Sequence, residues 1–180
     1  TMENYFAAKR KLFTSERARV AVVNADDPYG VRLQMEAVVP TSSYSLSNVS
    51  DVAVTASSVS FTWKSLDVRL PIGGSYAVMN AIAAITCASE LGIPDGRIVS
   101  GCASVQTVPG RFESVPNDVD IDVVVDFAHT PEALQGLLTS AREIARAGLI
   151  VVFGCGGDRD HAKRPLMGDI ASRGADIVIV

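Results

Sequence analysis

The run Val123-Val124-Val125-Asp126-Phe127-Ala128-His129-Thr130-Pro131 ends an apolar stretch at an acid, a histidine and a Thr-Pro pair. A buried parallel strand that hands over to an N-capped helix has this pattern. Open α/β sheets bind ligands at the ends of such strands. Asp126 has two readings: it caps the helix that starts near Pro131, or it accepts hydrogen bonds from ribose hydroxyls. His129 is either a satisfied loop side chain or a phosphate contact. Upstream, Pro109-Gly110-Arg111-Phe112-Glu113 sets an arginine beside a turn, as a surface charge or as a phosphate ligand. Downstream runs Gly154-Cys155-Gly156-Gly157-Asp158-Arg159-Asp160-His161-Ala162-Lys163-Arg164-Pro165. Glycines after a strand let backbone N–H groups approach an anion. Arg159, Lys163 and Arg164 add positive charge, and an arginine grips a carboxylate or phosphate through two parallel hydrogen bonds. The alternative is a solvated loop before a Pro-started helix. No Gly-Lys-Ser/Thr follows the glycines, so this is not a Walker A loop, and the third glycine of a dinucleotide fingerprint is missing.

These loops need strands and helices to hold them. Residues 2–13 have a helical pattern, with Tyr5, Phe6, Leu12 and Phe13 as its apolar positions and Lys9, Arg10 and Lys11 near its C-terminal end. Residues 19–24 form a short apolar strand that ends at Ala25-Asp26-Asp27-Pro28, a turn or helix-start signal. From Tyr44 to Ile72 the apolar residues alternate, which predicts antiparallel strands with one wet face and Trp63 on the packed side. Gly73-Gly74 breaks that pattern. An Ala-rich helix follows from Tyr76 to Leu91, closed by Gly92 and Pro94, and another spans Asp95 to Val105. Asn80 lies inside the first of these, where an amide is out of pattern; it bonds across the core or meets a ligand at the helix edge. The second half reads strand 122–126, helix 131–147, strand 149–153, helix 165–173, strand 176–180. That alternation predicts a doubly wound α/β arrangement on a parallel sheet. The change of character near Val108-Pro109-Gly110 sets a domain boundary there, giving 1–108 and 109–180.

The chain has 180 residues, 48% of them hydrophobic, and a net charge of −4. This is enough for a packed core and gives no basic surface for nucleic acid. No apolar stretch has the length of a membrane helix. Three widely spaced cysteines at positions 87, 102 and 155 predict reduced thiols in a cytoplasmic protein, with no zinc-ligand spacing. The chain starts at a helix and stops at a strand, so it is read as an internal fragment of a larger enzyme.

Six stretches in order resemble the Mur ligase family, the ATP-dependent amide ligases of cell-wall precursor synthesis. They are Thr1-Met2-Glu3-Asn4-Tyr5-Phe6, Val23-Asn24-Ala25-Asp26-Asp27-Pro28, Met79-Asn80-Ala81-Ile82-Ala83-Ala84, Val108-Pro109-Gly110-Arg111-Phe112-Glu113, Val125-Asp126-Phe127-Ala128-His129-Thr130-Pro131 and Phe153-Gly154-Cys155-Gly156-Gly157-Asp158-Arg159-Asp160. The last three look like the E-type members, which add the third residue of the peptide. The resemblance implies that 1–108 is the C-terminal part of the central ATP-binding domain and 109–180 the N-terminal part of a Rossmann-like C-terminal domain. It implies that Asn80 contacts the adenine end of ATP, that Arg111 meets the phosphates as the catalytic cation, that Asp126 holds the ribose and that His129 lies near the nucleotide. Arg159 is implied to bind the carboxylate of the incoming amino acid. Phe127 stands where the family often has Tyr, and His161-Ala162 replaces a pair that is often Lys-Gly.

The implied reaction is ADP-forming carbon–nitrogen ligation in peptidoglycan synthesis, with its consequences for cell shape and division. ATP and Mg²⁺ are the implied cofactors, UDP-MurNAc-L-Ala-D-Glu and a diamino acid the substrates, and a monomer without nucleic-acid or membrane partners the implied state. The form of the Gly154–Arg164 loop points to meso-diaminopimelate rather than lysine. Other readings are a folylpolyglutamate or cyanophycin synthetase, a dinucleotide-binding oxidoreductase domain, and a non-catalytic nucleotide-binding module. In this reading the family's Gly-Lys-Thr loop and carbamylated lysine precede Thr1 and its Asp-Asn-Pro-Arg motif follows Val180. The 180 residues alone are therefore expected to have no ligase activity. ADP release from them that depends on the UDP-dipeptide would contradict this.

Overall fold

A computed structural model describes residues 1–156 and 160–180. The chain divides into two compact units. One comprises Thr1–Val52, Ser60–Arg69 and Ala77–Val105, the other Ala53–Val59, Leu70–Tyr76 and Gln106–Val180.

In the first unit, α1 (Met2–Arg10) is capped by Thr1, whose hydroxyl accepts from the Asn4 amide. Strand β1 (Ala21–Asn24) pairs in parallel with β2 (Thr41–Tyr44), and α2 (Pro28–Glu36) forms the crossover between them. The Asp26-Asp27-Pro28 signal is resolved residue by residue. Asp27 caps α2 by accepting from the amides of Tyr29 and Gly30, with Pro28 opening the first turn. Asp26 accepts from the Leu46 amide at 2.8 Å and ties the strand end to a 3-10 turn at Leu46–Asn48. Gly30 brings α2 onto β1: a Cβ there would lie 1.9 Å from the Asn24 carbonyl oxygen. Phe6, Val23 and Leu33 form the core beneath, with Phe13 packed on it. Tyr5 and Leu12 of the expected helix face are exposed instead: α1 buries Phe6 and ends at Arg10, before Leu12.

Strands β3 (Ser50–Val54), β4 (Val59–Trp63) and β5 (Leu66–Leu70) form a sheet in that order. Val59, Phe61 and Trp63 are buried on alternate positions of β4, as the period-two pattern predicts. Lys64 and Ser65 both have positive φ, the backbone of a tight two-residue reversal. Helices α3 (Tyr76–Glu90) and α4 (Asp95–Ser104) follow.

In the second unit, β6 (Glu113–Ser114) precedes β7 (Val124–Val125), α5 (Pro131–Ile144), β8 (Ile150–Val152), α6 (Lys163–Gly174) and β9 (Ile177–Ile179). Strands β8 and β9 are parallel with α6 between them, the expected βαβ unit. Leu134 and Leu138 of α5 close on Val151, Met167 and Ala171 to form the core. Strand β7 departs from expectation. The Val123–Val125 run predicts a buried parallel strand, yet β7 pairs antiparallel with β6 and Val125 is exposed. Three valines fix neither the direction nor the burial of a strand; here the loop over residues 116–122, where the Asn117 side-chain amide donates to the Val115 and Ile121 carbonyls, folds 123–125 back alongside 113–115, and the Val115 amide donates to the Val123 carbonyl at 2.8 Å.

The α5, β8 and β9 segments meet at Asp176. Its Oδ2 accepts from the Leu149 amide at 2.6 Å and from Arg142 at 2.9 Å, while Arg142 also donates to the Gly174 carbonyl. The Arg142 guanidinium, then the Leu149 amide, hold the Asp176 carboxyl below the ordinary aspartate range. A carboxyl lowered on folding stabilises the native state above its unfolded pKa, near 4, and loses that contribution as pH falls through the lower native value. Asp176→Asn should therefore lower the melting temperature at pH 7 by a small amount that shrinks as the pH falls below about 4. An offset that is undiminished in acid would overturn this.

Candidate functional site

Residues 108–113 form a turn held by several backbone hydrogen bonds. The Arg111 amide donates to the Val108 carbonyl at 3.0 Å, and the Gly110 amide donates to Oε2 of Glu113 at 2.7 Å. Gly110 has φ +67° and Phe112 φ +43°, so the chain turns through the left-handed region on both sides of Arg111. For a bulky residue such as Phe112 that conformation is unfavourable, and the surroundings must over-determine it. They do so in two ways. The Phe112 ring is 1% exposed and lies edge-on to Tyr76, with centroids 5.6 Å apart. It also rests on Gly74, where any Cβ would come within 3.0 Å of the ring. The Phe112 amide then donates to Oδ2 of Asp126 at 2.8 Å.

Asp126 is the acceptor at the centre of this corner. Oδ2 takes the Phe112 amide and the Tyr76 hydroxyl, the latter at 3.0 Å, and Oδ1 takes the Ala128 amide at 2.8 Å. An ionised carboxylate offers about four acceptor positions, so roughly one, on Oδ1, is left for a further donor. The helix-cap reading of Asp126 is excluded: Thr130 caps α5 by accepting from the Ala133 amide, with Pro131 as the first helical residue. Burial, then the Asp126 charge, push the Tyr76 phenol well above the ordinary tyrosine range, so it remains a donor.

Arg111 leaves the turn into solvent and lies over the Phe127 ring at 5.1 Å. Phe127 is 60% exposed and its ring is 4.9 Å from that of His129. The His129 ring nitrogen Nδ1 is 3.0 Å from the Phe127 carbonyl, and Lys163 at the start of α6 donates to the His129 carbonyl at 3.1 Å. A cation, a free carboxylate acceptor and two exposed rings thus share one rim of the second unit. Such a rim can take an anion on Arg111, a hydroxyl on Asp126 and a flat group on Phe127.

Asn80 is exposed on α3 in the first unit, so it does not bond across the core. Arg159 lies outside the described residues. Sequence reasoning missed Tyr76 and Phe112: nothing local marks a tyrosine as the partner of an acid 50 residues away. An apolar cavity lies elsewhere. Its volume is about 420 Å³, it sits in the first unit against Tyr5, Phe6, Phe13, Val23 and Leu33, and none of the candidate residues lines it. Among the described residues there is no group of three or more His, Cys, Asp or Glu side chains able to hold a metal. No helix among them is long and apolar enough to cross a membrane.

The pattern of the Mur ligase middle domain matches residues 1–88, and that of the Mur ligase glutamate ligase domain matches residues 110–180. The chain belongs to the Mur ligase family. It is similar to UDP-N-acetylmuramoyl-L-alanyl-D-glutamate--2,6-diaminopimelate ligases. The protein of that name from Syntrophomonas wolfei is 41% identical over 99% of this chain and 39% of its own length. The one from Geobacter metallireducens is 43% identical over 99% of this chain and 38% of its length. This Mur ligase chain therefore spans about two fifths of those relatives. A solved structure of a ligase of the same name superposes with a TM-score of 0.68 at 33% identity, covering 99% of this chain and 39% of the other. A MurF structure from Acinetobacter baumannii reaches 0.77 at 19% identity over 99% of this chain and 46% of its own, a likeness of fold. The fold class of the Mur ligase chain is accordingly α/β, with helices and sheets in both units.

The buried Phe112 ring is what holds the Arg111 turn. Phe112→Ala should cost about 3–5 kcal/mol of the second unit's stability, the usual range for a buried phenylalanine. Urea unfolding of the second unit's fluorescence or amide-exchange signal measures it, and a cost below about 1 kcal/mol would mean that other contacts hold the turn.

Proposed function

We propose that this chain is the ATP- and amino-acid-handling part of an E-type Mur ligase. Residues 1–108 belong to its central ATP-binding domain and 109–180 to its C-terminal domain. The reaction joins a diamino acid, meso-diaminopimelate by the similarity to the named relatives, to UDP-MurNAc-L-Ala-D-Glu in peptidoglycan precursor synthesis. The γ-phosphoryl group of ATP passes to the free side-chain carboxylate of the D-glutamyl residue, giving an acyl phosphate and ADP. The amine of the diamino acid attacks the acyl carbon, the phosphate leaves, an amide forms and the ammonium proton is released.

The observation that carries the nucleotide part of this reading is the rim of Arg111 and Asp126. Arg111 is an exposed guanidinium on a rigid turn, available to offset phosphate charge as it builds. Asp126 keeps one acceptor position for a ribose hydroxyl. Phe127 and His129 offer exposed ring faces beside them. Asn80, exposed on α3, is assigned to the adenine end by the family resemblance. Arg159 is assigned to the carboxylate of the diamino acid, where its planar fork suits two parallel hydrogen bonds. Phosphoryl transfer demands positioning and charge neutralisation more than an acid–base pair. Mg²⁺ on the phosphates would supply further positive charge, but the described residues of this chain form no metal cage, and no step is assigned to the ion.

The complete enzyme containing this chain separates the two roles. Arg159→Ala should raise the KM for the diamino acid tenfold or more, on the order of a lost charge-assisted pair, and leave the KM for ATP nearly unchanged. Arg111→Ala should lower turnover. A raised KM for ATP in the Arg159 variant would move that residue to the nucleotide, and unchanged kinetics in the Arg111 variant would make it a surface charge.

A further inference from the structure

The Tyr76 hydroxyl has no role in the reading above, yet its placement is specific. It is half-buried, belongs to the same unit as Asp126 and donates to Oδ2 of that carboxylate. Its ring packs edge-on against Phe112. A phenylalanine would make the same ring contact without burying a polar oxygen, which is costly unless that oxygen is bonded. The hydroxyl is therefore to be explained by what it does to Asp126.

We infer that Tyr76 is a positioning residue for the nucleotide: its hydroxyl and the Phe112 amide together saturate Oδ2 of Asp126, which fixes the carboxylate plane and leaves one acceptor position on Oδ1. The inference rests on the nucleotide reading of Asp126. Donors on both oxygens, Phe112 and Tyr76 on one and Ala128 on the other, stop rotation about the Cβ–Cγ bond. The same Oδ2 atom also anchors the peptide after Arg111. One carboxylate thus sets the direction of a hydroxyl acceptor and the position of the turn that carries the cation. Without the Tyr76 donor, Oδ2 keeps a single amide and gains an unfilled acceptor position. A ribose hydroxyl or water then competes for either oxygen, and the acceptor no longer points one way.

The test compares Tyr76→Phe, Asp126→Asn and the double variant in the complete enzyme. The readouts are KM for ATP, KM for the diamino acid, kcat and melting temperature. Tyr76→Phe should raise the KM for ATP about three- to tenfold, the range for one ordinary net hydrogen bond, because the hydroxyl acts on the ligand only through Asp126. The KM for the diamino acid and the melting temperature should stay close to wild type. Asp126→Asn should raise the KM for ATP at least as far, and the double variant should be no worse than Asp126→Asn, because both changes act on one carboxylate. If Asp126→Asn raises the KM for ATP and Tyr76→Phe does not, the role of Tyr76 falls and the nucleotide reading stands. If neither moves it, both fall. If Tyr76→Phe raises both KM values equally and lowers the melting temperature, the hydroxyl is structural and the inference is overturned.

Discussion

The corner built on Asp126 depends on one carboxylate accepting three protein donors from three separate segments. Tyr76 comes from the start of α3, Phe112 from the turn before β6, and Ala128 from the loop before α5. Each donor arrives from a different stretch of chain, so the carboxylate acts as a knot more than as a free ligand. A charged acceptor suits this task, since hydrogen bonds to an ionised group are stronger than neutral ones. The tie sits beside the left-handed backbone at Phe112, the antiparallel β6–β7 ladder and the exposed Arg111, and joins them at one atom, Oδ2. Its half-buried setting strengthens it further, because water competes less for the oxygens.

A second constraint concerns how the rim is supported from behind. Thr130 and Pro131 start α5 at a defined residue, and Leu134 and Leu138 anchor that helix to the core with Val151, Met167 and Ala171. Lys163 at the first turn of α6 reaches back to the His129 carbonyl. The segment from Asp126 to Pro131 is therefore held at one end by the carboxylate knot and at the other by a packed helix. Preorganised groups of this kind lose little entropy when a ligand arrives, which is the usual route from a rigid scaffold to tight positioning.

Much of this was legible in the sequence, for identifiable reasons. Thr130-Pro131 and Gly92-Ile93-Pro94 are strong helix punctuation, and α5 starts and α3 stops where they predict. Trp63 is buried on a strand of strict alternation. Asp126 and Arg111 stood out because charge interrupts an apolar run or follows a Pro-Gly turn. The remainder was hidden by distance or by ambiguity. The Tyr76–Asp126 bond joins residues 50 apart, beyond the reach of any local pattern. The antiparallel pairing of β7 could not be read from three valines, because a continuous apolar run is equally consistent with either direction. The apolar neighbours of Asn80 leave a core amide and a ligand contact at the helix edge equally open, but α3 buries only one side and leaves that residue on the other.

Phe112 imposes two demands on a single position, and they conflict. Its backbone has a shape that glycine alone adopts without cost, while its side chain fills a space that only a large ring fits. Glycine would relax the main chain and leave a void; leucine or isoleucine would fill part of the void and keep the strain. An aromatic ring at residue 112 meets the packing demand and leaves the strain in the main chain, one peptide away from the exposed guanidinium of Arg111.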